Sequence, residues 1–335
     1  MTNGELNAKY IELCSNQSAI LSVSHVIEGF TLTTEEKILS LVNSNVKDKN
    51  KRSLLVSPIY PSFLSIEHAE LMKIAKQVIE KGQRIVNRSF LKNNPVIKEM
   101  IDAHQEKYFW KRNGYSSPKV LSAADFADEI NFILQKVTDI DRKLKEFNEI
   151  SFVCGKKEEI LKKINNSELS ELVHINDTIF RLHDHRKEML TIAIHYIDIM
   201  LVEIGRRKNI PIELMRYTWK NDFPAMKLGK NELEDRMKKS VFITLPGKRM
   251  VYTGDKATEI ISKLVSRDEN TDSSIIKGNC ASGGTATGIV KVCRGEKEIA
   301  KVKEGDILVA CMTQPEFVPA MKKAAAVITD EGGLT

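Results

Sequence analysis

Apolar positions recur with a helical period through most of the first 240 residues. Ile66, Ala69, Met72, Ala75 and Val78 predict a helix over 66–81. Pro95 suits the first turn of a second helix, running to about Lys111. Ser122 caps a third, with Phe126, Ile130, Ile133 and Val137 on one face. Thr33 and Glu36 have capping-box spacing ahead of Ile38, Leu41 and Val42, so a helix start is expected there. A long helix is expected from about Asn176 to Arg207, stopping before Pro211. Pro58 and Pro61, then Asn113-Gly114 and Ser116-Ser117-Pro118, mark breaks. No repeat of solenoid length recurs.

The texture changes near Ser240. Val241–Leu245 and Arg249–Tyr252 flank Pro246-Gly247-Lys248, the signature of a β-hairpin. A short helix is expected over 256–266, then a polar linker over 267–274. Beyond it the pattern is α/β: strands over 287–293, 306–310 and 325–329, with a helix over 315–324. The fold class is therefore multidomain α + α/β. An all-helical domain covers residues 1–238, a hairpin, short helix and linker cover 239–274, and an α/β segment covers 275–335.

Composition narrows the function classes. A chain of 335 residues fits roughly two domains. The net charge of +6 has no long basic run behind it, and Lys47–Arg52 reads as a solvated loop, so nucleic acid is not an expected partner. Met1–Tyr10 has no apolar export core, and the best apolar run, Met189–Ile204, is broken by Asp198 and Glu203, so no membrane span is expected. The five cysteines are scattered without a CxxC pair and read as reduced thiols of a cytoplasmic protein.

Three pieces of the C-terminal region carry chemistry together. The first is Gly278–Gly288, in which Gly278, Gly283, Gly284 and Gly288 permit unusual backbone angles and close approach. Alone it reads as a turn between strands, and it is not a dinucleotide fingerprint. The second is Gly305–Ala310 followed by Met312-Thr313-Gln314-Pro315-Glu316; the third is Ala326–Thr335. In order and spacing they resemble the mobile phosphohistidine domain of the phosphoenolpyruvate-utilising enzymes, a family that includes phosphoenolpyruvate synthase, pyruvate phosphate dikinase and the rifampin phosphotransferases. Weaker similarity upstream rests on Tyr108-Phe109-Trp110, Gly114-Tyr115, Arg186, Arg236 and Gly254.

The resemblance implies a swivelling domain whose histidine takes a phosphoryl group from an ATP-grasp domain or subunit, using ATP and magnesium, and passes it to pyruvate or another small acceptor. Thr329, Gly332, Gly333 and Thr335 match the family's phosphohistidine loop, with the carrier histidine expected two positions after Thr335. All seven histidines (His25, His68, His104, His174, His183, His185 and His195) lie in the helical part. The expectation is a fragment of a longer phosphotransferase, inactive alone, that holds no cofactor itself. Two alternatives stay open: a rifampin-phosphotransferase-like enzyme with a different acceptor, and a non-catalytic stand-alone or degenerate subunit that binds a partner.

Other candidates are weaker. His183 and His185 point about 200° apart on a helix and cannot share one metal ion. Arg186 falls on the row Leu182, Met189, Ala193, Tyr196, Met200 and Ile204, where a charge must be paired or face a cavity. A structural ion pair is the expectation; contact with an anionic acceptor is the alternative. Of Tyr108, Phe109 and Trp110, two are expected in the core. Cys280, Cys293 and Cys311 are expected to be small core residues. The coding sequence beyond Thr335 is expected to continue with a small residue and a histidine; reading the gene checks this, and a stop codon directly after Thr335 contradicts it.

Overall fold

The computed structural model describes residues 1–114, 118–223, 229–264, 275, 276, 278, 282–311 and 317–330. Side chains of residues 26, 28, 30–33, 151, 296 and 297 are not described. The architecture is helical up to the hairpin, with a small parallel sheet near the C-terminus. The chain divides into two compact units, residues 17–195 and residues 1–16 with 196–335. No helix among the described residues is long and apolar enough to cross a membrane.

The unit of residues 17–195 contains two apolar cores. One gathers α3 (Phe63–Glu80), α5 (Pro95–Tyr108) and α6 (Ala123–Lys136) around Leu71, Ala75, Ile101, Phe126 and Ile130. Each of these helices starts on a local signal. Ser62 caps α3 through the Ser65 amide, Pro95 opens α5, and Ser122 forms a capping box with Asp125 on α6. Tyr108 and Trp110 are buried in this core, and Phe109 packs against it half-buried. The second core joins Ile38, Val42 and Val46 of α1 (Asn3–Asn45), Leu55 of α2 (Lys49–Val56), Leu161 of α7 (Ile140–Ile164) and Leu169 and Val173 of α8 (Ser167–Lys208).

Several sequence expectations need correction here. α1 runs unbroken through Thr33, with no new start. A capping box competes with continued i to i−4 bonding, and without a proline in the preceding turns the continuous helix wins. Lys47–Arg52 is not all loop, because Asp48 caps α2 by accepting from the Asn50 and Lys51 amides and buried Leu55 anchors it. α8 begins at Ser167, where the Asn166 side chain accepts from the Leu169 amide, rather than at Asn176. α7 is a further helix, with Ile140, Leu144 and Phe147 packed on the first core and Ile160, Leu161 and Ile164 on the second.

Within residues 1–16 and 196–335, Leu6, Tyr10 and Cys14 of α1 pack with Leu201 and Ile204 of α8, then Ile210, Leu214, Met215 and Leu233. Asn209, at φ 54°, ends α8 in the left-handed region. Gly205 is required there: a Cβ would lie 2.6 Å from the Ile210 carbonyl oxygen. α9 (Ile212–Met215) and α10 (Lys230–Lys238) lead to the hairpin β1 (Ser240–Leu245) and β2 (Lys248–Thr253), antiparallel from Ser240↔Thr253 to Leu245↔Lys248. α11 (Gly254–Leu264) follows, and the linker over 267–274 lies outside the described residues.

A buried polar network fixes the first core. Glu67 on α3 accepts from His104 Nε2 of α5 at 2.9 Å and from Lys111 Nζ, and Lys111 also reaches Glu129 of α6 at 2.6 Å. Burial alone would raise the Glu67 pKa; the His104 bond and the Lys111 charge outweigh it and hold the carboxyl below its usual value. Its contribution to stability is therefore present above the ordinary glutamate pKa of about 4.3. It is lost as pH falls through the depressed folded-state value. Glu67→Ala is expected to destabilise the protein by about 3–5 kcal/mol in chemical denaturation, and Glu67→Gln to flatten this acid limb of the stability profile. A wild-type stability for either variant contradicts the assignment.

Candidate functional site

The C-terminal sheet is built from β3 (Val290–Val292), β4 (Ile307–Ala310) and β5 (Ala326–Thr329), in the order β3-β4-β5, all parallel. Ile307 pairs with Val290 on one side and Ala326 on the other. Leu308 and Ala310 point into a core with Cys293, Val302, Phe317 and Ala320, the last from α12 (Val318–Met321). Parallel pairing means that all three strands end on the same edge.

That carboxyl edge is the candidate site. Open α/β sheets bind ligands outside the carboxyl ends of their strands. Here β3 ends on the Cys293 amide, which donates to Val309 O at 2.7 Å, and runs into exposed Arg294. β4 ends at Ala310, followed by exposed Cys311. β5 ends at half-buried Thr329, paired with Ala310, and the exposed Asp330 amide donates to Ala310 O at 3.3 Å. Beside the edge, Glu298 accepts from the Arg294 amide at 2.9 Å and from Lys301 at 3.0 Å. These two donors hold its carboxyl below the usual range. The three strand ends thus set Arg294, Cys311 and Thr329 along one edge of the sheet, with Glu298 bonded to the Arg294 amide.

The structure separates residues that the sequence grouped. Gly288 lies before β3, at the opposite, amino edge, where a Cβ would come within 2.2 Å of the Gly305 carbonyl oxygen. Its role is to let two backbones cross closely at the strand starts. Gly278, Gly283 and Gly284 are exposed, with nothing within 4 Å of an added Cβ. Gly332, Gly333 and Thr335, and Cys280 and 312–316, lie outside the described residues. Arg186 sits on α8 in the unit of residues 17–195 and is half-buried. The row assigned to it does not form one buried face: Leu182 is 45% and Tyr196 49% exposed. Arg236 is buried and bonded to Asp222 and Glu232. Cys293 is buried as expected, but Cys311 is exposed, because the apolar core stops at Ala310. Sequence reasoning missed Arg294 and Cys311; the signal was their place one or two residues beyond a strand end.

The C-terminal region is similar to the mobile domain of phosphoenolpyruvate-utilising enzymes. The family model for the mobile domain of these enzymes matches residues 302–335. A probable phosphoenolpyruvate synthase of Methanocaldococcus jannaschii is 60% identical over 70 residues, 21% of this chain and 6% of that protein. One from Archaeoglobus fulgidus is 64% identical over 61 residues, 18% of this chain and 8% of that protein. The phosphoenolpyruvate synthase of Pyrococcus furiosus is 61% identical over 61 residues, again 18% and 8%. The chain thus matches less than a tenth of the length of these relatives.

The close approach at the amino edge can be tested directly. Gly288→Ala is expected to cost about 1–3 kcal/mol by overpacking, while Gly283→Ala, in open space, should change little. Amide hydrogen exchange at Leu308 and Val309 reads both; equal protection in the two variants contradicts the backbone crossing.

Proposed function

We propose that the C-terminal region acts as the phosphoryl-carrying mobile domain of a phosphotransferase similar to phosphoenolpyruvate synthase, with pyruvate or another small molecule as acceptor. The observation that carries this reading is 60% identity to such a synthase, in a C-terminal region whose described residues form a three-stranded parallel sheet. In this reading the carrier is the histidine that follows the Gly-Gly-Leu-Thr loop in the family. Its neutral imidazole is nucleophilic near pH 7, so the N–P bond forms as the P–O bond of the donor breaks. Backbone N–H groups of a glycine loop suit the incoming phosphate. The acceptor oxygen then takes the phosphoryl group and the imidazole is restored.

The nucleotide and magnesium belong in this reading to an ATP-grasp domain or subunit. No group of three His, Cys, Asp or Glu among the described residues is placed to hold a metal ion, and no step through a metal or nucleotide is assigned to them. The reading is cytoplasmic, in keeping with five scattered cysteines that include no CxxC pair.

A chimera tests the proposal. The matched stretch of the Methanocaldococcus jannaschii relative is replaced by the corresponding residues of this chain, and phosphoenolpyruvate formation from pyruvate and ATP is measured. Activity within about tenfold of the parent is expected, a change of about 1.4 kcal/mol in the barrier. A folded chimera that takes no acid-labile label and makes no phosphoenolpyruvate overturns the reading. The 335-residue chain alone, incubated with labelled phosphoenolpyruvate or ATP, is expected to take up no such label. An acid-labile, base-stable phosphoprotein would move the carrier to one of the seven histidines of the helical part.

A further inference from the structure

A polar pocket in the unit of residues 17–195 plays no part in the proposed chemistry. It forms where one face of α7 (Cys154, Lys157, Glu158, Leu161) meets one face of α8 (Val173, His174, Asp177, Thr178), closed by Ile59 and Tyr60 from the segment before α3. The spacings are those of one helical face on each side. Its volume is about 190 Å³, enough for one small molecule or several waters.

Lys157 and Asp177 are both buried and joined by a 2.6 Å bond from Nζ to Oδ1. An ammonium has three donors. Among the described residues Lys157 uses one, leaving two for the pocket that it lines. Buried donors left unmet are costly, so oxygen acceptors belong there. Asp177 offers acceptor capacity beside it, and burial pushes its carboxyl pKa up against the Lys157 bond. Thr178 spends its hydroxyl proton on His174 O at 3.1 Å, which leaves its oxygen free to accept. At the rim, His174 Nε2 and Glu158 Oε1 are 2.7 Å apart, and the Arg181 guanidinium lies 5.2 Å from the Tyr60 ring centre.

Charge selects the class of ligand. Lys157 is bonded to Asp177 and Glu158 to His174, so the lining leaves no unpaired cationic charge to select an anion. Donors and acceptors stand side by side instead, against an apolar wall of Ile59, Leu161 and Val173 and an aromatic ring. A hydroxyl both donates and accepts, and so meets the lysine and the carboxylate at once. We infer that this α7–α8 pocket is a binding site for a small neutral polyhydroxylated molecule of monosaccharide size. The inference is independent of the phosphoryl-transfer reading.

The test uses the full 335-residue chain and saturation-transfer NMR with D-glucose, D-ribose, myo-inositol and glycerol, and with acetate and inorganic phosphate as anions. Saturable binding of at least one polyol is expected. Lys157→Met/Asp177→Leu removes both charges without stranding either, and should weaken that binding by about tenfold or more. Tyr60→Ala, at an exposed loop position, should do the same and carries the test if the double variant fails to fold. Absence of binding by all four polyols overturns the inference. So does undiminished polyol binding in the folded variants, or binding of phosphate or acetate in place of the polyols.

Discussion

Parallel pairing of β4 with β5 is the constraint on which the C-terminal region depends. With Ile307 opposite Ala326 and Ala310 opposite Thr329, both strands finish on one edge, and the loops that follow them start side by side. A parallel pair needs a long crossover, supplied here by residues 311–325, which include α12. Phe317 and Ala320 bury against Leu308 and Ala310, so the crossover also caps one face of the sheet. At the other end, Gly288 allows the approach of the Gly305 backbone that lets β3 join β4. The carboxyl edge, with Thr329 and Arg294, follows from these contacts.

The helical unit solves a different problem, that of placing charge in an apolar interior. Burying an ion is costly unless its partner and further hydrogen bonds come with it. Glu67 meets that demand with His104 and Lys111, and Lys111 shares itself with Glu129. This ties α3, α5 and α6 to one register. Lys157 and Asp177 meet it only in part, with one bond between them beside a cavity. The contrast between a closed network and an open pair separates a structural polar cluster from a candidate ligand pocket.

Much of the fold was legible in the sequence. Local signals with a direct mechanism located their elements: Ser122 as a cap, Pro95 in a first turn, and Pro246-Gly247 between two strand runs, with Gly247 at φ 70°. The three C-terminal strands were legible from short apolar runs, though β3 is shorter than 287–293 because the ladder with β4 stops at the Gly305 turn. What failed had longer-range causes. The Arg186 row repeats every seven residues, and a straight helix drifts about 20° per heptad. The buried apolar positions of α8 are instead Leu169, Val173, Ile179, Leu190 and Leu201, with Ile204 alone shared with that row. Lys157 could not be read as buried, since its burial depends on Asp177 across a helix pair. The candidate edge was half legible: Thr329 could be found from its motif, whereas Arg294 and Cys311 become neighbours only once the strands are parallel.

The central claim is the register of the parallel sheet, and nuclear Overhauser contacts measure it most directly. On an isotope-labelled chain, backbone contacts are predicted between Ile307 and Ala326, Val309 and Ile328, and Val290 and Ile307, with the strands running the same way. An antiparallel contact pattern, or a β4–β5 register shifted so that Ala310 no longer meets Thr329, would contradict the account.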